Sequence, residues 1–306
     1  TLLLVGKLRQ FLLEHQVDIL HARSRIPAWI AYFAWRGMHP ATRPRFITTV
    51  HGLYGVNRYS RIMTRGERVI AVSNTVRDYI LNEYPDTLPW CIQVIHRGVD
   101  GEAYPHGWKP DPAWQQAFFS QFPQASGKLL LALPGRITRL KGHEDFFELI
   151  ARLKRRGLPV HGLIVGGASS SKQRYLQKLR YRVRSMGLQA DISLTGQRDD
   201  LKNILAISSL VLSLSNQPES FGRTTLEALR LGVPTAGYDH GGVGEILRTV
   251  YPAGLLPLTG IDETCQRIAR LLQQPEPVPT GNFFPLQAML DQTLALYEQL
   301  ARTPRR

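Results

Sequence analysis

The amino-acid sequence predicts an α/β protein built from two doubly wound, parallel-sheet domains. Short apolar strands alternate with helical stretches along the whole chain, and a length of 306 residues is long for one domain and comfortable for two. The predicted strands span residues 17–21, 46–50, 68–72, 92–95, 129–133, 160–165, 192–194, 210–214 and 234–237. In such sheets ligands bind beyond the carboxyl ends of the strands, so the loops that follow them are where chemistry is expected.

The elements divide into a first domain over residues 1–110 and a second over residues 127–280, joined by a Pro-rich, polar segment at about 104–127. Residues 285–302 form one amphipathic helix. The first element is a helix that leads into a strand with no strand before it, whereas a parallel sheet needs an upstream strand for that crossover. This predicts that roughly 50 to 70 residues precede the chain, an estimate from two or three missing units. A naturally minimal domain is the alternative.

Composition excludes several classes of protein. The hydrophobic content of 43% can fill two cores, but no apolar run approaches the roughly 20 residues that span a bilayer. Cys91 and Cys265 fall in different predicted domains and match no metal or redox spacing, which indicates ordinary thiols in a reducing compartment. The first residues have neither a basic region nor a cleavage site, so no secretory signal is indicated, and a cytoplasmic protein is expected.

The most informative segment is residues 215–232, which carries Glu219 and Glu227 on either side of a turn at Gly222. A predicted strand precedes the turn and a helix over 224–231 follows it, so free backbone N–H groups and the helix dipole could hold a phosphate there. Glu227 lies among leucines, where a carboxylate is costly unless something pairs with it. The alternative is that Glu219 merely caps the helix and Glu227 faces solvent.

A second segment has matching chemistry. Arg136 and Lys141 follow the apolar strand at 129–133 and are flanked by Gly135 and Gly142. The guanidinium fork and the ammonium point charge together can neutralise a diphosphate. Each segment is a weak signal by itself, but the two in order, about 80 residues apart, form a specific pattern.

Further motifs extend the pattern over most of the chain from about residue 17. They are GR at 135–136, KG at 141–142, TGQRDD at 195–200, PESFG at 218–222, EA at 227–228, GVP at 232–234, GG at 241–242 with Glu245, TVHG at 49–52, VIAVS at 69–73 and VIHRGVD at 94–100. With these motifs the chain resembles the retaining glycosyltransferases of family 4, also called glycosyl transferases group 1. The resemblance implies the GT-B architecture, in which two Rossmann-like domains face each other across a cleft. The first domain would then be on the acceptor side, the second would bind the nucleotide-sugar donor, and the helix at 285–302 would cross back to pack on the first domain.

The resemblance implies roles for the second domain. Arg136 and Lys141 would clamp the diphosphate of a nucleotide-sugar donor and stabilise the leaving group. Glu219 would accept hydrogen bonds from the hydroxyls of the transferred sugar, and Glu227 those of the nucleotide ribose. Arg198 would lie in the loop that borders the nucleobase, where its backbone is expected to matter more than its side chain. The other expected donor-binding residues are Gly135, Phe221, Gly222 and Arg223.

In the first domain the resemblance singles out His51, which would point into the cleft and orient the transferred sugar. From the residues alone, a structural histidine between strand and loop is the alternative. Arg97 stands where the family more often has Asn or Pro, and it could reach a phosphate or only a neighbouring acid.

The expected chemistry is transfer with retention at the anomeric carbon, since no Asp or Glu of the first domain aligns as a nucleophile. In the same-face route that the family suggests, the departing diphosphate takes the acceptor's proton, and the two glutamates bind rather than catalyse. No bound metal or cofactor is implied, because Asp199 and Asp200 indicate a helix N-terminus rather than a cation-holding Asp-x-Asp loop. A catalytically silent scaffold is the competing hypothesis.

The net charge of +14 indicates what kind of partner the protein binds. Residues 1–80 contain 12 Lys and Arg against 4 Asp and Glu, interleaved with aromatic side chains. Nine of the arginines cluster in the domain that is expected to hold the acceptor, with four aromatic residues among them: Arg23, Arg25, Arg36, Arg43, Arg45, Arg58, Arg61, Arg65 and Arg68, and Trp29, Tyr32, Phe33 and Trp35. This combination suits an anionic membrane face or a phosphorylated, lipid-linked saccharide; the alternative is a core-facing aromatic stripe with a solvated basic surface.

Nucleic acid is disfavoured, since the longest basic run is 154–156 and no recognised motif is present. Neither the base nor the sugar of the donor follows from the residues, so hexosyl, N-acetylhexosaminyl and heptosyl transfer stay open. The segment 21–29 looks most like bacterial enzymes of lipopolysaccharide or other surface-glycan synthesis, an analogy at the level of the family.

Overall fold

The computed structural model describes residues 2–258 and 260–303, which form two compact units. Unit 1 comprises the chain up to Gly98 together with the segment from Phe284 onward, and unit 2 comprises Val99–Phe283. Each unit contains one sheet in which all strand pairs are parallel. The predicted class, α/β with two parallel-sheet domains, is confirmed.

Unit 1 has a four-stranded sheet in the order β1-β2-β3-β4. Its elements are α1 (Leu2–Glu14), β1 (Ile19–Ala22), α2 (Arg25–Arg36), β2 (Arg45–Val50), β3 (Arg68–Ala71), α3 (Asn74–Glu83), β4 (Ile92–Val94) and, after unit 2, α11 (Leu286–Arg302). Five of the six residues of β2 are buried, as expected of a parallel strand that is covered on both faces.

The last helix, α11, packs against the sheet of unit 1. Its Leu296 and Leu300 are buried in one apolar cluster with three isoleucines of the sheet. These are Ile47 of β2, Ile70 of β3 and Ile95, which directly follows β4. Where α11 begins, the backbone approaches Gly98 so closely that a Cβ atom on Gly98 would lie 2.5 Å from the Cα of Leu286. Unit 1 is therefore built from two segments that are distant in sequence.

Unit 2 has a six-stranded sheet in the order β10-β9-β8-β5-β6-β7. Its elements are α4 (Pro112–Gln121), β5 (Leu129–Pro134), α5 (His143–Arg155), β6 (Val160–Val165), α6 (Gln173–Ser185), β7 (Ile192–Gly196), α7 (Leu201–Ile207), β8 (Leu210–Ser213), α8 (Arg223–Arg230), β9 (Thr235–Tyr238), α9 (Gly241–Val250), β10 (Leu255–Leu256) and α10 (Ile261–Gln273). The strand order reverses between β5 and β8, which is where ligands of doubly wound sheets bind.

Alternation along β6 shows how both faces of this sheet are covered. Leu163 and Val165 are buried in one cluster with Phe118 of α4, whereas Ile164, between them, is buried on the other side with residues of α5, α6 and α10. Successive side chains of a strand point to opposite faces, so the strand has an apolar partner on each. No helix within the described residues is long and apolar enough to cross a bilayer.

Two features differ from the sequence-based expectation. The segment expected to end the first domain at 110 and to form a join at 104–127 belongs to unit 2. Its aromatic residues explain this, because Tyr104 and Trp108 pack on one apolar cluster and Phe118 lies inside another. The two-residue strand β10 was not predicted, since so short an apolar segment has no detectable period.

Candidate active site

The loop between β5 and α5 lies at the reversal point of the unit 2 sheet. Gly142, which ends it, has a φ of +67° in the left-handed region, and a side chain there would clash with the carbonyl of Leu214 at the end of β8. Only glycine fits this approach without strain. Arg136, in the same loop, is exposed and forms no ion pair within residues 2–258 and 260–303. Its guanidinium is therefore available to an anion.

The structure joins the two segments that the sequence singled out. Lys141 Nζ lies 2.7 Å from Glu219 Oε1, and Ser215 Oγ donates to the same oxygen at 2.5 Å. Burial opposes ionisation of Glu219, but the Lys141 ammonium and these hydrogen bonds outweigh it and hold the pKa of the carboxyl below its ordinary value. Glu219 is thus ionised at neutral pH and can only accept hydrogen bonds.

The turn before α8 is fixed by its contacts with α9. Gly222 has a φ of +94°, and a Cβ atom there would lie 2.6 Å from Val243 Cγ2. The Gly242 amide donates to the carbonyl of Glu219 at 2.8 Å, and Phe221 is buried. The N-terminus of α8 is consequently held in one position close to the Lys141–Glu219 pair, with its amides directed out of the helix.

Glu227 is not the solvent-facing residue of the alternative hypothesis. It is 4% exposed, and its Oε1 accepts from Arg223 Nε at 2.6 Å, one turn earlier on α8. This hydrogen bond and the charge of Glu227 raise the pKa of Arg223. Burial, reinforced by the Glu227 charge, raises the pKa of the nearby Tyr104 phenol. The partner that a buried carboxylate requires is supplied by the protein itself.

Arg198 has a structural partner. Its Nε and Nη2 lie 2.8 and 2.6 Å from the two oxygens of Asp200, and Trp114 Nε1 donates to Asp200 at 2.8 Å. Burial alone would raise the pKa of Asp200, but the contacts with Arg198 and Trp114 lower it by a larger amount, so the pKa lies below its usual range. Asp200 is the N-cap residue of α7, yet its carboxylate makes no capping bond, because Arg198 and Trp114 occupy it.

In unit 1, His51 directly follows β2. Its Nε2 accepts a long hydrogen bond, 3.4 Å, from Nε of Arg23, which follows β1. Burial, with the charges of Arg23, Arg97 and His21, lowers the pKa of His51 to about 4. The imidazole is neutral at neutral pH, and because Nε2 accepts, its proton is on Nδ1.

Sequence reasoning missed three residues beside His51. Nδ1 of His21 is hydrogen-bonded to the Tyr297 hydroxyl at 2.5 Å, and Nε2 to Oγ1 of Thr49 at 2.6 Å. Burial and then Arg23 lower the pKa of His21 to about 4. A histidine at the end of a strand is a usable signal, but its partner on α11 is 276 residues away, and no local pattern links the two.

These residues line a cavity of about 340 Å³ within unit 1. One part of the lining is polar and includes both histidines, Thr49 and Tyr297, with two arginines; the other part is aliphatic. The polar residues are His21, Arg23, Thr49, His51, Arg97, Gln287, Thr293 and Tyr297, and the apolar ones are Ile70, Val72, Ile95, Met289, Leu290 and Leu294. The cavity therefore suits a ligand with both polar and apolar parts.

Two family models match the chain. The model described as glycosyl transferases group 1 matches residues 115–279, more than half of the chain. The model described as Glycosyltransferase Family 4 matches residues 1–103. The first match covers every candidate residue of unit 2, and the second covers His51.

Solved structures and curated proteins give concordant matches. A glycosyltransferase from Rickettsia africae matches with a TM-score of 0.81 at 25% identity, over 98% of this chain and 81% of that one. HepE from Anabaena, in complex with UDP, matches with a TM-score of 0.81 at 19% identity, over 96% and 82%. The N-acetyl-alpha-D-glucosaminyl L-malate synthase of Bacillus anthracis is 24% identical over 254 residues, which are 81% of this chain and 63% of that protein. The chain spans less than two thirds of the length of the curated relatives it matches.

Proposed function

The chain belongs to the glycosyl transferases group 1 family, and from this premise we propose that it transfers a sugar from a nucleotide-diphosphate sugar to a glycan or lipid-linked acceptor with retention of anomeric configuration. The observation that carries the proposal is the 2.7 Å contact of Lys141 with Glu219 beside the N-terminus of α8. The Lys141 ammonium and the amides at the N-terminus of α8 suit phosphate oxygens, whereas the Glu219 carboxylate suits hydroxyl groups. The binding of UDP by HepE, a protein of similar fold, supports a nucleotide donor.

The donor would be held in unit 2. Arg136 and Lys141 neutralise the diphosphate, aided by Gly135 and the amides at Phe221 and Gly222. Glu219, ionised and oriented by Lys141, accepts hydrogen bonds from the hydroxyls of the transferred sugar. Glu227 accepts hydrogen bonds from the ribose hydroxyls, and its contact with Arg223 orients the carboxylate. The side chain of Arg198 is engaged by Asp200, so only its backbone would border the base.

The chemical step would be a same-face substitution. The bond from the anomeric carbon to the diphosphate oxygen breaks, the acceptor oxygen attacks from the same face, and its proton passes to the departing phosphate. His51 is neutral at neutral pH, so it orients the sugar by hydrogen bonding and, not being an imidazolium, does not act as a general acid. The positive charges of Arg136 and Lys141 stabilise the leaving group as its charge develops.

The finer proposal concerns biological setting. We infer a hexosyl-, N-acetylhexosaminyl- or heptosyltransferase of bacterial lipopolysaccharide or other cell-surface polysaccharide synthesis, working in the cytoplasm and peripherally on the inner membrane. The acceptor would enter the cavity of unit 1, whose aliphatic part could accommodate the apolar portion of a lipid-linked saccharide. The likeness of residues 21–29 to bacterial enzymes of lipopolysaccharide or other surface-glycan synthesis supports this setting.

The membrane contact proposed for unit 1 involves the outer face of α2. Ile26 is 62% exposed and Phe33 is 49% exposed, as interfacial side chains would be. Other aromatic residues of α2 serve the fold, since the indoles of Trp29 and Trp35 donate to backbone carbonyls. If the proposal is correct, Ile26→Ser/Phe33→Ser weakens sedimentation with anionic vesicles; unchanged sedimentation would exclude this face.

Calorimetric titration of UDP, GDP and ADP tests the donor site. We expect one nucleotide to bind, and Arg136→Ala to weaken it by at least tenfold, on the order of one charge-assisted contact. Lys128→Ala is the matched control, because it removes an exposed cation at the opposite end of β5 and should leave binding unchanged. Binding of no nucleotide, or equal loss in both variants, would contradict the donor site.

A catalytically silent scaffold, or a protein that only binds membrane surfaces, is the alternative. The complete set of Arg136, Lys141, Glu219 and Glu227 weighs against it, because a silent protein has no need for an ionised and oriented Glu219. Release of nucleoside diphosphate from a nucleotide sugar separates the two hypotheses. The anomeric configuration of the product, determined by NMR, tests retention, and an inverted product would overturn the same-face step.

A further inference from the structure

Unit 2 carries a cationic surface that the proposed donor site does not use. Between Glu148 and Asp191 the chain contains no acidic residue, whereas it contains ten Lys and Arg. Six of them lie on α6 or immediately before it: Lys172, Arg174, Lys178, Arg180, Arg182 and Arg184. All six are exposed. We call these residues, together with Tyr181, the α6 surface.

The packing of α6 fixes which side faces outward. Leu179 and Val183 are buried in the main core cluster of unit 2, so the apolar face of the helix is already occupied. Arg174, Lys178 and Arg182 recur every four residues on the opposite side and form one row. Their spacing extends over about 12 Å at a rise of about 1.5 Å per residue.

Most cations of this surface have no ion-pair partner among the described residues. Arg182 lies 3.3 Å from Glu144, but the other five have no carboxylate within ion-pair distance among the residues that the structure describes. Clustered like charges raise the free energy of the folded protein unless an anion approaches them. An external anion would therefore relieve a cost that the protein itself does not offset.

The surface is also shaped to receive phosphate groups. Lys172, Arg174 and Lys178 line a cavity of about 260 Å³ together with Arg139 and the hydroxyls of Ser171 and Tyr175. Hydroxyl groups beside cations are typical ligands of phosphate oxygens. A shallower depression of about 500 Å³ shares Arg174 and Lys178 with this cavity and is also lined by Gln177, Tyr181, Arg182 and one acidic residue, Glu144, which is the ion-pair partner of Arg182.

We propose that the α6 surface binds the phosphate headgroups of an anionic lipid bilayer. A row of cations about 12 Å long exceeds a single phosphate and matches several headgroups. Tyr181 is 73% exposed between Lys178 and Arg182, where a phenol ring can lie at the headgroup level. Because the apolar face of α6 is buried in the protein core, binding is electrostatic and lies at the membrane surface without insertion. This inference is independent of sugar transfer, since it requires no donor or acceptor.

Vesicle sedimentation tests it with phosphatidylcholine alone and with phosphatidylcholine mixed with phosphatidylglycerol. The wild-type protein should bind only the mixed vesicles and should be released by high salt. Arg174→Gln/Lys178→Gln/Arg182→Gln should weaken this binding at least tenfold. Lys109→Gln/Lys128→Gln/Arg156→Gln, which removes the same charge from dispersed exposed positions of unit 2, should weaken it much less.

Three results would overturn the proposal. The first is that the wild-type protein ignores phosphatidylglycerol, and the second is that both triple variants lose binding equally, which would indicate net charge alone. The third is that a single-stranded oligonucleotide at equal phosphate concentration competes as well as vesicles do, which would indicate a general polyanion site. Parallel sedimentation of Ile26→Ser/Phe33→Ser separates this surface from the outer face of α2, and circular dichroism confirms that each variant is folded.

Discussion

The two units hold their candidate site residues by different electrostatic means. In unit 2 each candidate carboxylate lies in a short ion-pair contact with a basic side chain, as in Lys141 with Glu219 and Arg223 with Glu227. In unit 1 the cavity is organised by His21 and His51, whose pKa values of about 4 keep both imidazoles neutral. Ion pairs suit a site for charged phosphates, whereas neutral hydrogen-bonding rings suit hydroxyl groups. The two sites should therefore respond differently to charge removal and to pH.

The largest expected effect is the loss of activity in Lys141→Ala. This change removes a phosphate-binding cation and leaves Glu219 without its ion pair, and we expect kcat/KM to fall on the order of 10² to 10³-fold. The control is Lys154→Ala, which breaks another Lys–carboxylate pair of unit 2, at 2.6 Å from Asp191. A similar loss in both variants would contradict a specific role for the Lys141–Glu219 pair.

A smaller effect, on stability, is expected for Arg223→Ala. It leaves Glu227 buried without its ion-pair partner, with the Tyr104 hydroxyl still beside it, and breaking a buried pair costs about 3 to 5 kcal/mol. Arg223 is 61% exposed, so water can replace part of its contact and about 2 kcal/mol is expected in urea unfolding. Arg223→Met/Glu227→Gln, which removes both charges, should recover most of this loss. If the double variant is as unstable as the single one, the charge of Glu227 is not the cause.

The pH response sharpens the comparison further. The pKa values of His21 and His51 lie near 4 in the folded protein, below the ordinary 6.5. The unfolded chain therefore binds more protons between these values, and stability falls as pH drops from 6.5 toward 4. We expect roughly 1 to 2 kcal/mol from each partly exposed ring. Glu219, whose pKa is lowered, loses its contribution only below its ordinary 4.5.

Urea unfolding at several pH values checks this order of events. His21→Gln and His51→Gln should each flatten the dependence between pH 6.5 and 4, whereas Glu219→Gln should change it only at lower pH. Burial also lowers the pKa of two histidines of unit 2, that of His143 to about 4 and that of His161 below its ordinary value, so His143→Gln and His161→Gln are needed to separate their shares. NMR titration that finds both unit 1 rings protonated at pH 6 would refute the assignment.

The smallest effect is expected for Tyr297→Phe. It removes the hydrogen bond between α11 and His21 while keeping the ring, and one such bond contributes about 1 kcal/mol. Tyr181→Phe, which alters an exposed tyrosine with no such partner role, is the control and should have no measurable effect. If the free energy of unfolding changes equally in the two variants, the hydrogen bond contributes nothing to stability.

Much of the fold followed from the sequence because strands and helices have local signatures. The nine predicted strands correspond to β1 to β9 with shifts of one or two residues at their ends, and the predicted family is confirmed by the matching models. The pairing of Glu227 with Arg223 was accessible in principle, since residues four apart on a helix are neighbours. The site roles of His51, Arg136, Lys141, Glu219 and Glu227 stay predictions.

What the sequence did not indicate depends on contacts between distant segments. His21 meets Thr49 across a strand pair and Tyr297 across 276 residues, and no spacing in the chain encodes that meeting. Charge counting alone does not show which cations are engaged within the fold, for a related reason. In unit 1 several arginines are engaged within the fold, including Arg45 with Glu67 and Arg43 over the Trp35 ring, whereas on α6 of unit 2 only Arg182 of the row has an ion-pair partner among the described residues.

The discontinuity of unit 1 has a consequence for biosynthesis. During translation the strands of this unit emerge first, but α11, which covers Ile47, Ile70 and Ile95, emerges only after the whole of unit 2. At about 5 to 20 residues per second, that delay lasts roughly 10 to 40 seconds. For that time the nascent sheet exposes an apolar face to the ribosome exit and to other chains, which makes it a natural substrate for chaperones.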